Sequence, residues 1–127
     1  MSRIHSTALI VAAILALAAC STGSAGQATP PSIDPDALTI SAKDLTFSTS
    51  SLSAPADEPF QIAFDNQESA PHNVAIYMDS SASEQVFGPD PFSGPAVVVY
   101  NVPALAAGTY LFRCDVHPDM AGQLEVG

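Results

Sequence analysis

The chain predicts an all-β fold, a Greek-key sandwich or barrel of about seven or eight strands, and three observations carry that expectation. Apolar residues alternate with polar ones at period two through most of the segment from residue 38 to residue 127. Prolines and glycines, eight and five of them within that segment, punctuate the pattern too often for long helices. The apolar runs are short and closely spaced, as in sandwiches and barrels.

Taken in order, LTISAKDLTF changes phase, with Ile40 and Ala42 in one register and Leu45 and Phe47 in the other. A bulge near Lys43 and Asp44 is expected to reconcile the two halves. A short strand follows around Leu52. In PFQIAF, Phe60, Ile62 and Phe64 share one face while Gln61 and Ala63 share the other, which marks a half-buried strand. In HNVAIYM, His72 lies on the face of Val74, Ile76 and Met78. The stretch from Asp79 to Pro95 is polar and rich in turn formers, so it reads as a long excursion with at most one helical turn. AVVVYNV is apolar on both faces. In TYLFRC, Cys114 shares the inward face with Tyr110 and Phe112, which leaves Arg113 pointing away from the core. In GQLEV, Leu124 and Val126 oppose Gln123 and Glu125. There is no internal repeat.

Ahead of this domain, Arg3 precedes the apolar run ALIVAAILALAA, which suits an export signal and is too short to span a bilayer comfortably. LAAC, Leu17 to Cys20, resembles the lipobox of bacterial lipoproteins, and that resemblance implies cleavage before Cys20 and a diacylglycerol on its thiol. A plain secretory signal or an uncleaved anchor are the alternatives, and each places the remainder outside the cytoplasm. From Ser21 to about Ala37 the composition is Ser, Thr, Gly, Ala and Pro without an aromatic residue, as in a flexible tether. The expected division is a signal peptide over residues 1–19, a lipidated cysteine and tether over 20–37, and one domain over 38–127. About ninety residues suffice for a single core.

Loss of the leader removes Arg3, leaving two fixed positive charges, Lys43 and Arg113, against thirteen acidic residues, a formal charge of −11. Such a surface repels nucleic acid and anionic headgroups and steers a basic protein partner; plain solubility is the competing explanation.

With Cys20 lipidated, Cys114 is a solitary thiol in an oxidising compartment, where burial or a bound ion must protect it. CDVHPDM places that cysteine, His117 and Met120 within seven residues. Cys114 ends one inward-facing strand and His72 begins another. If both strand ends lie at one pole, a thiolate and an imidazole converge there, and the loop after Cys114, its path restricted by Pro118, returns His117 and Met120 to the same point. Zinc seldom uses a thioether, and calcium and magnesium prefer oxygen. Two imidazoles, a thiolate and a weak axial thioether describe a blue-copper electron-transfer centre.

On APHNVAIY and GTYLFRCDVHPDMAGQLEV the chain resembles the cupredoxins of the plastocyanin and amicyanin type. The resemblance implies one type 1 copper ion with His72, Cys114 and His117 as equatorial ligands and Met120 as the axial one. The C-x-x-H-x-x-M spacing is the short loop of amicyanin. Asn73 matches the family residue whose side chain bonds across to the ligand loop and stiffens it. The edge of His117 is the implied electron port, with Pro71 and Pro118 as neighbours. Two features depart from the pattern. Arg113 precedes the cysteine, and acidic Asp115 and Asp119 flank His117 where docking surfaces in the family are often apolar.

The expected role is therefore that of a membrane-anchored, extracytoplasmic electron carrier, a monomeric domain serving redox protein partners, with a basic docking surface on the partner and no nucleic acid. The competing role is a copper carrier or buffer that delivers or sequesters the ion. An enzymatic role is not expected. Beyond the leader the chain has only His72 and His117, too few histidines for a second copper, and it lacks a nucleophile-and-base pair and a glycine-rich phosphate loop.

Overall fold

The computed structural model describes residues 32–127; the leader, Cys20 and most of the tether lie outside the described residues. Eleven short strands form the described fold: β1 (Leu38–Lys43), β2 (Thr46–Phe47), β3 (Ser51–Ala54), β4 (Phe60–Asn66), β5 (Pro71–His72), β6 (Ala75–Tyr77), β7 (Gln85–Phe87), β8 (Phe92–Ser93), β9 (Ala96–Val102), β10 (Gly108–Arg113) and β11 (Ala121–Val126). A four-stranded sheet in the order β2-β1-β4-β9 and a five-stranded sheet in the order β3-β11-β10-β6-β7 make the two layers, and β5 pairs with β8 as a separate ribbon. Both large sheets are mixed. β1 runs parallel to β4, with Ile40 opposite Phe64, and β3 runs parallel to β11, with Leu52 opposite Leu124. The other pairings are antiparallel.

Alternation decides what fills the space between the layers. Ile62 and Phe64 of β4, Ile76 of β6, Phe112 of β10 and Leu124 of β11 are wholly buried. Each removes from water a side chain whose burial is worth about 1.5–3 kcal/mol. Phe64 is the hub of an aromatic cluster, edge-on to Phe47 at 6.1 Å and to Phe92 at 5.6 Å and stacked on Tyr100 at 6.0 Å between ring centres. Offset and edge-on geometries of this kind are the favourable ones.

Four details differ from the pattern reading. The phase change after Ala42 is not a bulge but a two-residue reversal at Asp44 and Leu45, after which β2 pairs back onto β1 with Lys43 opposite Thr46. Both turn residues have positive φ, 53° and 56°, and the side chain of Leu45 is left exposed. HNVAIYM is two strands rather than one. The chain leaves β5 at Asn73 and re-enters pairing in β6, and Met78 is exposed instead of sharing the buried face of His72. The excursion from Asp79 to Pro95 contains β7 and β8 and no helix, because its few apolar residues find edge positions beside β6 and β5. AVVVYNV forms β9 at the edge of its sheet, so Val97 is 53 % exposed although the run is apolar on both faces.

The β1–β2 reversal, the β5–β8 ribbon and the loop from β10 to β11 all gather at one pole of the sandwich, tied together by the side chains described next.

Candidate metal centre

His72 is supplied by β5, whose pairing with Phe92 of β8 holds it against the end of the core, and it has no exposed surface. Cys114 follows the last residue of β10 and inherits the inward phase of Tyr110 and Phe112, which buries it completely. The chain then turns back on itself. Met120 donates its amide to the His117 carbonyl at 2.9 Å, and its own carbonyl accepts the Cys114 amide at 2.9 Å. This closed loop precedes β11 and leaves His117 half-buried and Met120 buried at the pole.

The donor atoms converge. Cys114 Sγ lies 3.7 Å from His72 Nδ1 and 3.8 Å from His117 Nδ1, and the two Nδ1 atoms are 3.2 Å apart. All three fall within 4.8 Å of one another, from positions 42 and 45 residues distant along the chain. Among the described residues this is the group of His, Cys and carboxylate side chains arranged to share one ion.

A second set of bonds fastens the two halves. Asn73, fully buried, accepts the Asp115 amide at 2.8 Å and donates through Nδ2 to Asp115 Oδ2 at 2.9 Å and to the Pro89 carbonyl at 2.8 Å. Asp115 in turn accepts from the Tyr77 hydroxyl on Oδ1 and from Gln85 Nε2 at 3.2 Å on Oδ2. The Arg113 guanidinium lies 4.5 Å from the centre of the Tyr77 ring, a cation–π contact, with Nε 3.9 Å from Asp115. Asp115 is thus a hydrogen-bonded hub of the pole that keeps part of its side chain in contact with solvent, whereas Asp119 is exposed. Tyr77 and Gln85 were not legible as site residues, because only the β6–β7 pairing brings them here.

The outer nitrogen of His72 is also engaged. Nε2 sits 2.6 Å from Glu68 Oε1, and the same carboxylate accepts the Asp44 and Leu45 amides at 3.1 Å each. The Leu45 amide, with His72 and the Asp44 amide adding to it, holds the Glu68 carboxyl below the usual carboxylate range. Glu68 gave no sequence signal beyond an acid four residues before a histidine. Nearby, the Tyr100 hydroxyl is buried without a hydrogen-bond partner among the described residues, and burial, with the Cys114 sulfur adding, pushes its phenol up.

The chemistry of the donor set fits one type 1 copper ion. A soft thiolate, two imidazole nitrogens turned toward it and a nearby thioether suit copper, while hard cations lack oxygens here and zinc lacks a fourth firm ligand.

The profile of the cupredoxin-like domain matches residues 8–126. Among solved structures the chain is similar to auracyanin A, a blue copper protein from the green thermophilic photosynthetic bacterium Chloroflexus aurantiacus, at 22 % identity and a TM-score of 0.64, covering 72 % of this chain and 98 % of that one. It is similar to the dithionite-reduced auracyanin of Roseiflexus castenholzii at 16 % identity and a TM-score of 0.64, with 72 % and 96 % covered. For the amicyanin of Paracoccus versutus the identity is 25 % and the TM-score 0.51, with 75 % and 85 % covered. No curated protein sequence matches the chain.

Proposed function

The chain belongs to the cupredoxin-like domain family, and from that premise we propose that it is an extracytoplasmic carrier of single electrons, holding one type 1 copper ion through His72, Cys114, His117 and Met120. The observation that carries this reading is the convergence of the Cys114 sulfur and two imidazole Nδ1 atoms within 4.8 Å at the buried end of a rigid sandwich. When bound there, the ion supplies a one-electron couple whose two oxidation states both tolerate a trigonal N, N, S site.

The protein's own residues do the rest. β5 and β10 fix two donors in the core, so neither can follow the geometry that either oxidation state would choose in water. The Asn73–Asp115 bonds brace the loop, and the apolar core behind Cys114, with Phe112 and Met120 buried, limits the access of water as a further ligand. His117 is the half-exposed donor, flanked along the loop by exposed Val116 and Pro118, and its ring edge is the point at which a partner comes nearest to the site. The thirteen acidic residues would steer a basic redox partner toward the molecule at low ionic strength. We assign the leader and LAAC to export and to lipidation at Cys20, tethering the domain to a membrane.

The test is the visible spectrum of the domain with added Cu(II). A strong thiolate-to-copper charge-transfer band is expected, and Cys114→Ala should abolish it. A protein that stays colourless in excess copper would refute the site. Repeated redox cycling in the presence of a modest chelator separates a carrier of electrons, which keeps the ion, from a carrier of copper, which gives it up.

A further inference from the structure

We propose that Arg113 tunes the reduction potential of the site: its guanidinium, held over Tyr77, is the counter-charge that offsets Asp115 on the other side of Cys114. This deepens the copper reading above and rests on it. Arg113 departs from the family pattern, and it is one of two fixed cations in the chain beyond the leader. The other, Lys43, is exposed. Arg113 is mostly covered, with 27 % of its side chain in contact with solvent, and its backbone is paired on both sides, to Ala75 of β6 and to Ala121 of β11.

Three contacts hold the guanidinium. Its Cζ lies 4.5 Å from the centre of the Tyr77 ring, Nη2 donates to the Tyr77 hydroxyl at 3.4 Å, and Nε stands 3.9 Å from Asp115 Oδ1, an ion-pair distance too long for a hydrogen bond. Nε is buried and has no hydrogen-bond partner among the described residues. An unpaired donor on a charged group costs stability, and an arginine present only for solubility would turn that nitrogen to water. Asp115 supplies the reason for the cost. Its amide and carboxylate brace the ligand loop through Asn73, and this puts a negative charge one residue from the sulfur that binds as thiolate. Alone, that carboxylate favours the more highly charged Cu(II) and lowers the potential. The Tyr77 hydroxyl donates to Asp115 Oδ1 and accepts from Arg113 and, at 3.0 Å, from Gln85. One phenol therefore links the two charges and keeps both on the same side of the chain, at the positions that flank Cys114.

Arg113→Met keeps an apolar stem over Tyr77 and removes the charge. In the copper-loaded protein the reduction potential should move downward, and the ratio of Cu(I) to Cu(II) affinity should fall by about 2–5-fold, the effect of one partly solvated charge. Asp115→Asn should move the potential upward. Arg113→Lys, which keeps the charge and loses the flat stack, should leave the potential nearer to that of the unaltered protein than to that of the Met variant. An unchanged potential in a coloured Arg113→Met protein, whatever its melting temperature, would overturn the proposal, and so would a Lys variant that shifts as far as the Met variant. Nuclear magnetic resonance of the unaltered apoprotein needs no variant to fold: the Arg113 Nε proton should exchange slowly with water, and the Cδ protons should be shifted upfield by the Tyr77 ring. Fast exchange without a ring shift would put the charge in solvent and overturn the proposal as well. A colourless unaltered protein would sink the copper reading and this proposal together, whereas each of the other adverse results sinks this one alone.

Discussion

His72 and the loop carrying Cys114, His117 and Met120 meet at the same pole, but the structure holds them in opposite ways. His72 is set into the fold: it is wholly buried, paired through β5, and bound at its outer nitrogen by a carboxylate that is itself pinned. His117 hangs from a loop whose own closure consists of two backbone bonds, and its ring is half-exposed. The difference separates two requirements that one histidine could not meet. A donor that fixes geometry must be shielded and over-determined, while a donor that exchanges electrons with a partner must reach the surface.

The largest effect that could break this comparison comes from deleting each ring in turn. With His117→Gly, added imidazole should enter the opened position and restore a charge-transfer band in the copper-loaded protein. With His72→Gly it should not, because that cavity is closed to solvent; recovery of colour in both variants would show the two sides to be equivalent. Next comes the link between them. Asn73→Ala orphans the Asp115 amide and the Pro89 carbonyl and should cost at least about 2 kcal/mol in urea unfolding. A loss below half of that would mean the loop is braced by something other than this side chain. Met120→Leu sharpens the division of labour within the loop. A near-isosteric swap at a buried site should cost less than about 1.5 kcal/mol and keep the colour, while the reduction potential shifts. Smallest of all, Tyr100→Phe removes a hydroxyl buried without a partner among the described residues. Stability should stay level or rise by up to about 1 kcal/mol, read as a small increase in melting temperature.

Period-two alternation made the sandwich legible where strands are buried on one face. The phases of Ile62 and Phe64, of Tyr110, Phe112 and Cys114, and of Leu124 and Val126 all stand in the structure as the pattern implies. Alternation is silent on where a strand stops, so it joined β5 to β6 across Asn73 and put Met78 inside. It also mistook the Asp44–Leu45 reversal for a bulge, because turns of this kind normally announce themselves with glycine or asparagine, and here a long-range bond to Glu68 holds a leucine in their place. The donors of the candidate site were legible because their residue types are rare in this chain and their spacing is chemical. Glu68, Tyr77 and Gln85 were not, since each is an ordinary polar residue that acquires its role only from the register of strands remote in sequence.

The complete burial of Cys114 bears on the life of the protein before any ion reaches it. A thiol that solvent cannot touch is also out of reach of peroxide and of foreign disulfides, whose attack requires direct approach to sulfur. Damage to the newly folded chain before the ion arrives therefore requires residues 114–120 to open, and its rate scales with the population of that open form as well as with the strength of the oxidant.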